Sequence, residues 1–233
     1  MPAPDFRSAL IVGAGPGFSA ALARRFAAAG IKLALACRHP EKLATLAAQT
    51  NAATYACDVA DAGAVARLFA AVDAAQPPLD LVVFNASARV RGPIAELDAA
   101  AVAQALAVSA MGGFYVGQQA ARRMAAAGGG AILFTGASGS VKGFAQSAPF
   151  AMGKFALRGL AQSMARELGP KGIHVLHLVI DGGIRSAARP VPAQAPDSLL
   201  DPDAIAATAW QALNQHRSAW SHEIEVRPWV ENF

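Results

Sequence analysis

The chain has 233 residues, is 54% hydrophobic and carries a formal net charge of +4. Its basicity is mild and no Lys/Arg run exceeds two, which argues for general solubility and against a nucleic-acid surface. Cys37 and Cys57 have no CxxC spacing, which excludes a disulfide-built secreted fold and reads as two free thiols in a reducing cytoplasm.

The start, Met1-Pro2-Ala3-Pro4-Asp5, lacks the charge and apolar core of a signal peptide. Apolar runs then alternate with helical patterns. Ser8 to Val12 is a short apolar run that stops at a Gly-rich turn and predicts a buried strand. Phe18 to Ala29 predicts a helix closed by Gly30. Strands follow at 31–36, 53–57, 79–84, 131–135, 173–180 and 223–226. Helices are expected at 40–49, with Pro at the first turn, and at 61–74, 98–127, 149–168 and 202–214. Regular alternation of this kind implies a single doubly wound α/β domain over residues 1–233. Its parallel sheet should have about seven strands, each buried on both faces. The stretch from Ala99 to Ala121 carries no charge but holds three glutamines. It is less apolar than a membrane span and reads as a helix packed on both sides, in the core or at a subunit contact. Residues 185–200 form the one long irregular loop, either a lid or a surface excursion.

The first strand runs into Gly13-Ala14-Gly15-Pro16-Gly17-Phe18, where a helix begins. Glycines let backbone N–H groups approach a pyrophosphate, and the helix N-terminus adds open donors and a favourable dipole. In a strand–turn–helix context this is a dinucleotide site. The second strand ends in Ala36-Cys37-Arg38-His39, with no acid for the adenosine ribose. Arg38 offers a permanently charged fork suited to a 2′-phosphate, so NADP(H) is expected rather than NAD(H).

With these motifs the chain resembles the short-chain dehydrogenase/reductase family over nearly its whole length. The glycine turn has the family spacing at Gly13 and Gly17, with Ser19 in place of the third Gly. Asp58-Val59 is similar to the adenine-contacting pair. Asn85-Ala86-Ser87 resembles the Asn-Ala-Gly motif. Asp181-Gly182-Gly183-Ile184-Arg185-Ser186 resembles the segment that contacts the nicotinamide carboxamide, with Asp181 in place of Pro. The resemblance implies cofactor contacts from Gly13, Gly15, Pro16, Gly17, Phe18, Arg38, Asp58, Val59, Asn85, Ala86, Ser87, Gly182, Ile184 and Ser186.

The family's catalytic set matches poorly. Its Tyr and Lys stand four residues apart on one helix face, so the Lys lowers the phenol pKa. Here Lys154 keeps the Lys place, but Phe150 stands where the Tyr would be. The family Ser falls at Ala137, with Ser138 next to it, and the family Asn falls at Ser109. Lys154, Ser138 and Ser109 are therefore the candidate catalytic residues. Lys154 is also expected to hold the nicotinamide ribose. Ser138 can polarise a carbonyl only if its turn shifts by one residue; otherwise it stabilises the turn. Arg89 and Arg91 suit either the site mouth or a solvated loop. His174 and His177 read as strand histidines rather than metal ligands, so no metal is expected. Tyr115 reads as packing. Trp210, Trp220 and Trp229 should pack the last helix and strand or a subunit interface.

The expected activity is NADP(H)-dependent oxidoreduction of an unknown small apolar substrate, with an altered proton donor. The alternative is a non-catalytic NADP(H)-binding sensor or regulator. The pocket should be shaped by Arg89 to Pro93 and residues 138–150 and 185–200, with mostly small apolar side chains. No nucleic-acid or membrane partner is expected. The resemblance implies a homodimer or homotetramer built through the two long helices.

Overall fold

A computed structural model describes residues 6–230, so the signal-peptide reading of Met1 to Asp5 lies outside the described residues. The elements follow in order. They are β1 (Ser8–Val12), α1 (Phe18–Ala28), β2 (Lys32–Cys37), α2 (Ala44–Thr50), β3 (Ala53–Ala56), α3 (Ala62–Ala75) and β4 (Leu81–Phe84). Then come α4 (Ala99–Leu106), α5 (Gly112–Ala127), β5 (Gly130–Thr135), α6 (Ala148–Leu168), β6 (Ile173–Ile180), α7 (Pro202–Leu213) and β7 (Glu223–Val226). All seven strands join one sheet in the order β3-β2-β1-β4-β5-β6-β7, and every pairing is parallel.

Strand periodicity sorts the core into two layers. From β1, Ala9 and Ile11 face one side, where they join Leu22 and Phe26 of α1 and Ala209 of α7. Leu10 and Val12 face the other side, with Phe69 of α3, Val116 of α5 and Leu157 of α6. Helices therefore cover both faces, as a right-handed parallel crossover topology requires. Phe84 and Phe134 are fully buried neighbours, edge-on at 6.3 Å between centroids. Gly113 and Gly117 let α5 lie close over them. A Cβ on Gly113 would sit 2.3 Å from Leu157 Cδ1 and 3.3 Å from Phe84.

The structure departs from the sequence expectation at four places. The two edge strands are not buried on both faces: β3, paired to β2 alone, is largely exposed, and β7, paired to β6 alone, is only half-buried. The helix expected from Pro40 begins as a 3₁₀ turn, Pro40–Leu43, and becomes α-helical at Ala44. The long helix starts at Ala99, with the Asp98 carboxylate capping the Ala100 and Ala101 amides, and a π-helical turn at Ala107–Met111 interrupts it. That helical stretch, Ala99–Ala127, is long and apolar enough to cross a membrane, with mean hydropathy 1.5, yet only 28% of its most apolar window is buried. Val116, Ala120 and Met124 fix one side of it to the sheet. Within the single chain it is thus packed on one side, which the core alternative does not fit, and Met111 and Phe114 remain exposed.

Truncating Phe134 to Ala should empty volume that both the sheet and α5 line. A loss of about 3–5 kcal/mol in unfolding free energy is expected. Urea titration followed by circular dichroism checks it.

Candidate functional site

The site starts where β1 meets β4, the point at which strand order reverses and open α/β sheets leave a crevice at their carboxyl ends. Gly13 leaves β1 with φ +84, and its N–H donates to the Ala36 carbonyl at 2.9 Å. A Cβ there would sit 2.3 Å from the Ala86 amide nitrogen. Both the dihedral and the contact demand glycine. Ser19, in the place of a third glycine, is buried. Its hydroxyl donates to the Gly13 carbonyl at 3.2 Å and accepts from Asn85 Nδ2 at 2.7 Å. The turn after β1 and the loop after β4 are thereby tied together. Helix α1 begins at Gly17 with no side-chain cap, so its first N–H groups stay open to an anion.

Two clefts flank this junction. The outer one, about 520 Å³, is lined by Gly13, Arg38, Asp58, Val59, Asn85, Ala86 and Ser87 among others. Arg38 is exposed there. The inner one, about 400 Å³, is lined by Pro16, Gly17, Phe18, Asn85, Ser87, Lys154, Gly182, Ile184 and Ser186, together with Arg89, Ala137, Phe150, Arg185 and Arg189. Gly15 lies within the glycine turn but lines neither cleft. The two share Asn85, Ser87 and Arg89, and together they bring Arg38, an uncapped helix start and Lys154 into an arrangement that can hold a dinucleotide. The lining of the inner cleft corrects the expectation of small apolar side chains, because three arginines project into it.

Lys154 is buried, and its Nζ donates to the Thr135 carbonyl at 2.6 Å. Burial, helped by the charge on Arg89, pulls its ammonium down to about 8. Phe150 lies against Gly139, and the Arg89 guanidinium sits 4.2 Å from its ring centroid. Lys154 Nζ is 6.0 Å from the same centroid. The place of the family phenol is therefore flanked by two cations.

Neither candidate serine lines either cleft. Ala137 lines the inner one, and the turn does not shift to bring Ser138 in. Ser138 is instead engaged with Asp181. Burial disfavours the Asp181 carboxylate, but hydrogen bonds from Ser138 and Lys142 outweigh it and hold the carboxyl below its usual range. Lys142 Nζ lies 3.1 Å from Asp181 Oδ2. Ser109 sits in the π-helical turn, where its buried hydroxyl accepts from the Ala88 amide at 3.1 Å. Its role here is to position the loop after β4.

Asp181 explains its own presence in the place of a proline. Its N–H donates to the Val226 carbonyl at 2.8 Å, extending the β6–β7 ladder by a bond that proline cannot make. His177 is fully buried, with Nδ1 2.8 Å from Glu223 Oε2. Burial pushes its imidazole down to about 4, so it is neutral and Nδ1–H donates. Arg158 grips the same carboxylate at 2.8 and 2.6 Å. His174 bonds the Ser221 carbonyl at 2.8 Å and stacks on Trp220 at 4.7 Å. Among the described residues no group of three or more His, Cys, Asp or Glu side chains is arranged to hold a metal ion. Tyr115 packs edge-on against Phe114, and Trp210 packs on Phe6 and Phe26. Trp229 does not pack on the last helix and strand: it is 82% exposed in the single chain and reaches Asp197 with its indole N–H.

The loop expected at 185–200 is pinned at its base. Ile184 and Leu200 bridge in parallel, Arg185 N donates to the Leu200 carbonyl at 2.9 Å, and Arg185 pairs with Asp201. Arg185, Ser186 and Arg189 carry this segment into the wall of the inner cleft. Sequence reasoning named Ser19 without its role as a link between Gly13 and Asn85, and it missed Arg189. A serine one helical residue past the glycine turn was the available signal for the first.

A family model described as short chain dehydrogenase matches residues 7–190. The 3-oxoacyl-(acyl-carrier-protein) reductase MabA of Mycobacterium tuberculosis is 30% identical over 167 residues, which cover 72% of this chain and 65% of that protein. The D-threitol dehydrogenase of Mycolicibacterium smegmatis is 32% identical over 176 residues, which cover 73% of this chain and 68% of that one. A solved short-chain dehydrogenase from Rhodopseudomonas palustris is similar at a TM-score of 0.84 and 36% identity, covering 96% of this chain and 99% of that chain.

Buried Lys154 gives the site a stability signature. Its pKa near 8 lies below the ordinary 10.5, so its charge burdens the folded state fully below about pH 8. The burden lifts as pH rises from there toward 10.5, because the unfolded chain then binds more protons. Lys154→Met should melt several degrees higher than the natural chain at pH 7, and the gap should narrow by pH 10. Melting curves across pH 6–10 test this.

Proposed function

The chain belongs to the short-chain dehydrogenase family, and on that premise we propose that it is an NADP(H)-dependent oxidoreductase acting on a small carbonyl compound or its alcohol. The observation that carries this reading is a pair of adjoining clefts that share Asn85, Ser87 and Arg89, the outer one lined by Arg38 and the inner one by the open start of α1 and the buried ammonium of Lys154. Arg38 would take a 2′-phosphate, since no carboxylate competes for it at the end of β2. The glycine turn would take the pyrophosphate. Asp58, Val59 and Ala86 would border the adenine side, and Lys154 with Asn85, Ser87, Gly182, Ile184 and Ser186 the nicotinamide side. When bound, the cofactor supplies or accepts the hydride.

Holding the reacting carbon in line is the larger share of what this chain contributes. The proton is the remaining problem, because Ala137 and Phe150 carry none to give. A guanidinium holds its proton too tightly to serve as a donor near neutrality. Lys154 Nζ is the one cation in the inner cleft whose pKa falls near neutrality, and it is the proton source in this reading. Ser138 and Ser109 act at one remove, through Asp181 and Ala88.

Free Cys37 and buried Cys57, whose thiol burial pushes up to about 11, support a reducing, cytoplasmic setting. The exposed apolar side chains Met111, Phe114, Met152 and Phe155 support assembly into a homodimer or homotetramer.

Two measurements test the reading. Arg38→Asp should weaken NADPH binding at least tenfold while leaving NADH within about threefold, a loss that fits one or more charge-assisted hydrogen bonds. Fluorescence titration of the reduced cofactors reads both. In the second, a carbonyl panel is reduced with NADPH across pH 6–10. The rate should fall as pH rises through about 8, where Lys154 loses its proton. Phe150→Tyr should raise the rate and change that profile. Turnover by the Phe150→Tyr protein alone would instead make the natural chain a binding protein.

A further inference from the structure

The arginines of the inner cleft have no use in the scheme above. Arg89 lies on the loop after β4 and Arg189 on the segment after β6, yet both reach the same cleft. Among the described residues no carboxylate pairs with Arg89, Arg91 or Arg189. The nearby acids are already engaged, Asp181 by Lys142 and Asp201 by Arg185. Partial burial, then the charges of Arg91 and Arg189, push the Arg89 guanidinium below its ordinary range. Like charges are thus gathered around a cavity with nothing of opposite sign to offset them. That arrangement is unfavourable when empty and favourable around an anion.

Arg89 is also held in place. Its guanidinium lies over the Phe150 ring at 4.2 Å, within the range of a cation–π contact. Phe150 in this setting is a platform for Arg89, where a tyrosine would be a proton donor. Of the features suited to cofactor phosphates, the open start of α1 borders the same inner cleft, and Arg38 lies in the outer cleft, which Arg89 also borders. The Arg89 guanidinium itself is held over Phe150 and near Lys154, at the end where a reacting carbonyl would be held.

We propose that Arg89 and Arg189 form an anion-binding pair in the inner cleft that takes a carboxylate or phosphate group carried by the carbonyl substrate. This rests on the oxidoreductase reading. The planar fork of arginine suits either anion, and the distance from the group to the carbonyl would select the substrate.

The test uses the natural full chain loaded with NADP⁺, which has no hydride to give, so that ligand binding is read without turnover. Calorimetric titrations compare acetoacetate with methyl acetoacetate, and dihydroxyacetone phosphate with dihydroxyacetone. In at least one pair the anion should bind ten or more times more tightly than its neutral partner, and the pair that shows this identifies the group. Arg89→Gln and Arg189→Gln should each reduce that preference at least fivefold, with NADP⁺ affinity held within threefold. Arg91→Gln, outside the cleft lining, should keep it. Circular dichroism confirms that each variant is folded. Equal binding of anion and neutral compound overturns the proposal and leaves the oxidoreductase reading standing. An equal loss in Arg91→Gln overturns it in favour of a diffuse field. A parallel loss of NADP⁺ affinity overturns it by assigning the pair to the cofactor. Failure of the natural chain to bind NADP⁺ at all removes the oxidoreductase reading and the proposal together.

Discussion

The backbone of Gly13 passes so close to that of Ala86 that no side chain fits between them. This approach, between the turn after β1 and the loop after β4, is the constraint on which the rest of the site depends. It requires β1 and β4 to be adjacent, which the strand order provides. It also fixes where α1 starts. Ser19 then locks the junction by donating to the Gly13 carbonyl and accepting from Asn85. A smaller residue would leave Asn85 Nδ2 without this partner, and a larger one would not fit a position 1% exposed. The open N–H groups of α1 and the loop carrying Arg89 are thus placed by one set of contacts.

On the other side of the crevice, a second set of contacts runs through Asp181. Its N–H makes a ladder bond to Val226 that a proline there would forgo. Its carboxylate then needs partners, and Ser138 and Lys142 supply them. That engagement is the reason the hydroxyl next to Ala137 does not reach the cleft. Phe150, in turn, accepts the face of Arg89. These contacts are therefore not independent, and together they surround Lys154 with a cation-lined cleft.

The layered fold tolerates this because most of its core lies away from the crevice, with Phe18, Ile180, Cys57 and Val59 among the few core residues that also line it. Alternate residues of each strand enter two separate apolar layers, and the close helix–sheet packing at Gly113 and Gly117 involves Leu157, Phe84, Phe134 and Met164. Substitutions at the carboxyl ends of the strands change charge and hydrogen bonding without opening that core. The buried His177–Glu223–Arg158 network lies between these regions, tying α6 to the last strands.

The sequence by itself determined the alternation of strands and helices, the doubly wound class, the glycine turn and the absence of an acid at Arg38. Those features are local: apolar period, glycine spacing and residue type set them within a few positions. The edge exposure of β3 and the π-helical turn at Ser109 were decided by neighbours distant in sequence. So were the withdrawal of Ser138 toward Asp181 and the meeting of Arg89 with Arg189. A one-residue rotation of a turn, or the approach of two loops from different strands, leaves no periodic trace in a chain. Only the assembled sheet, by bringing the ends of β4, β5 and β6 side by side, settles which side chains share the cleft.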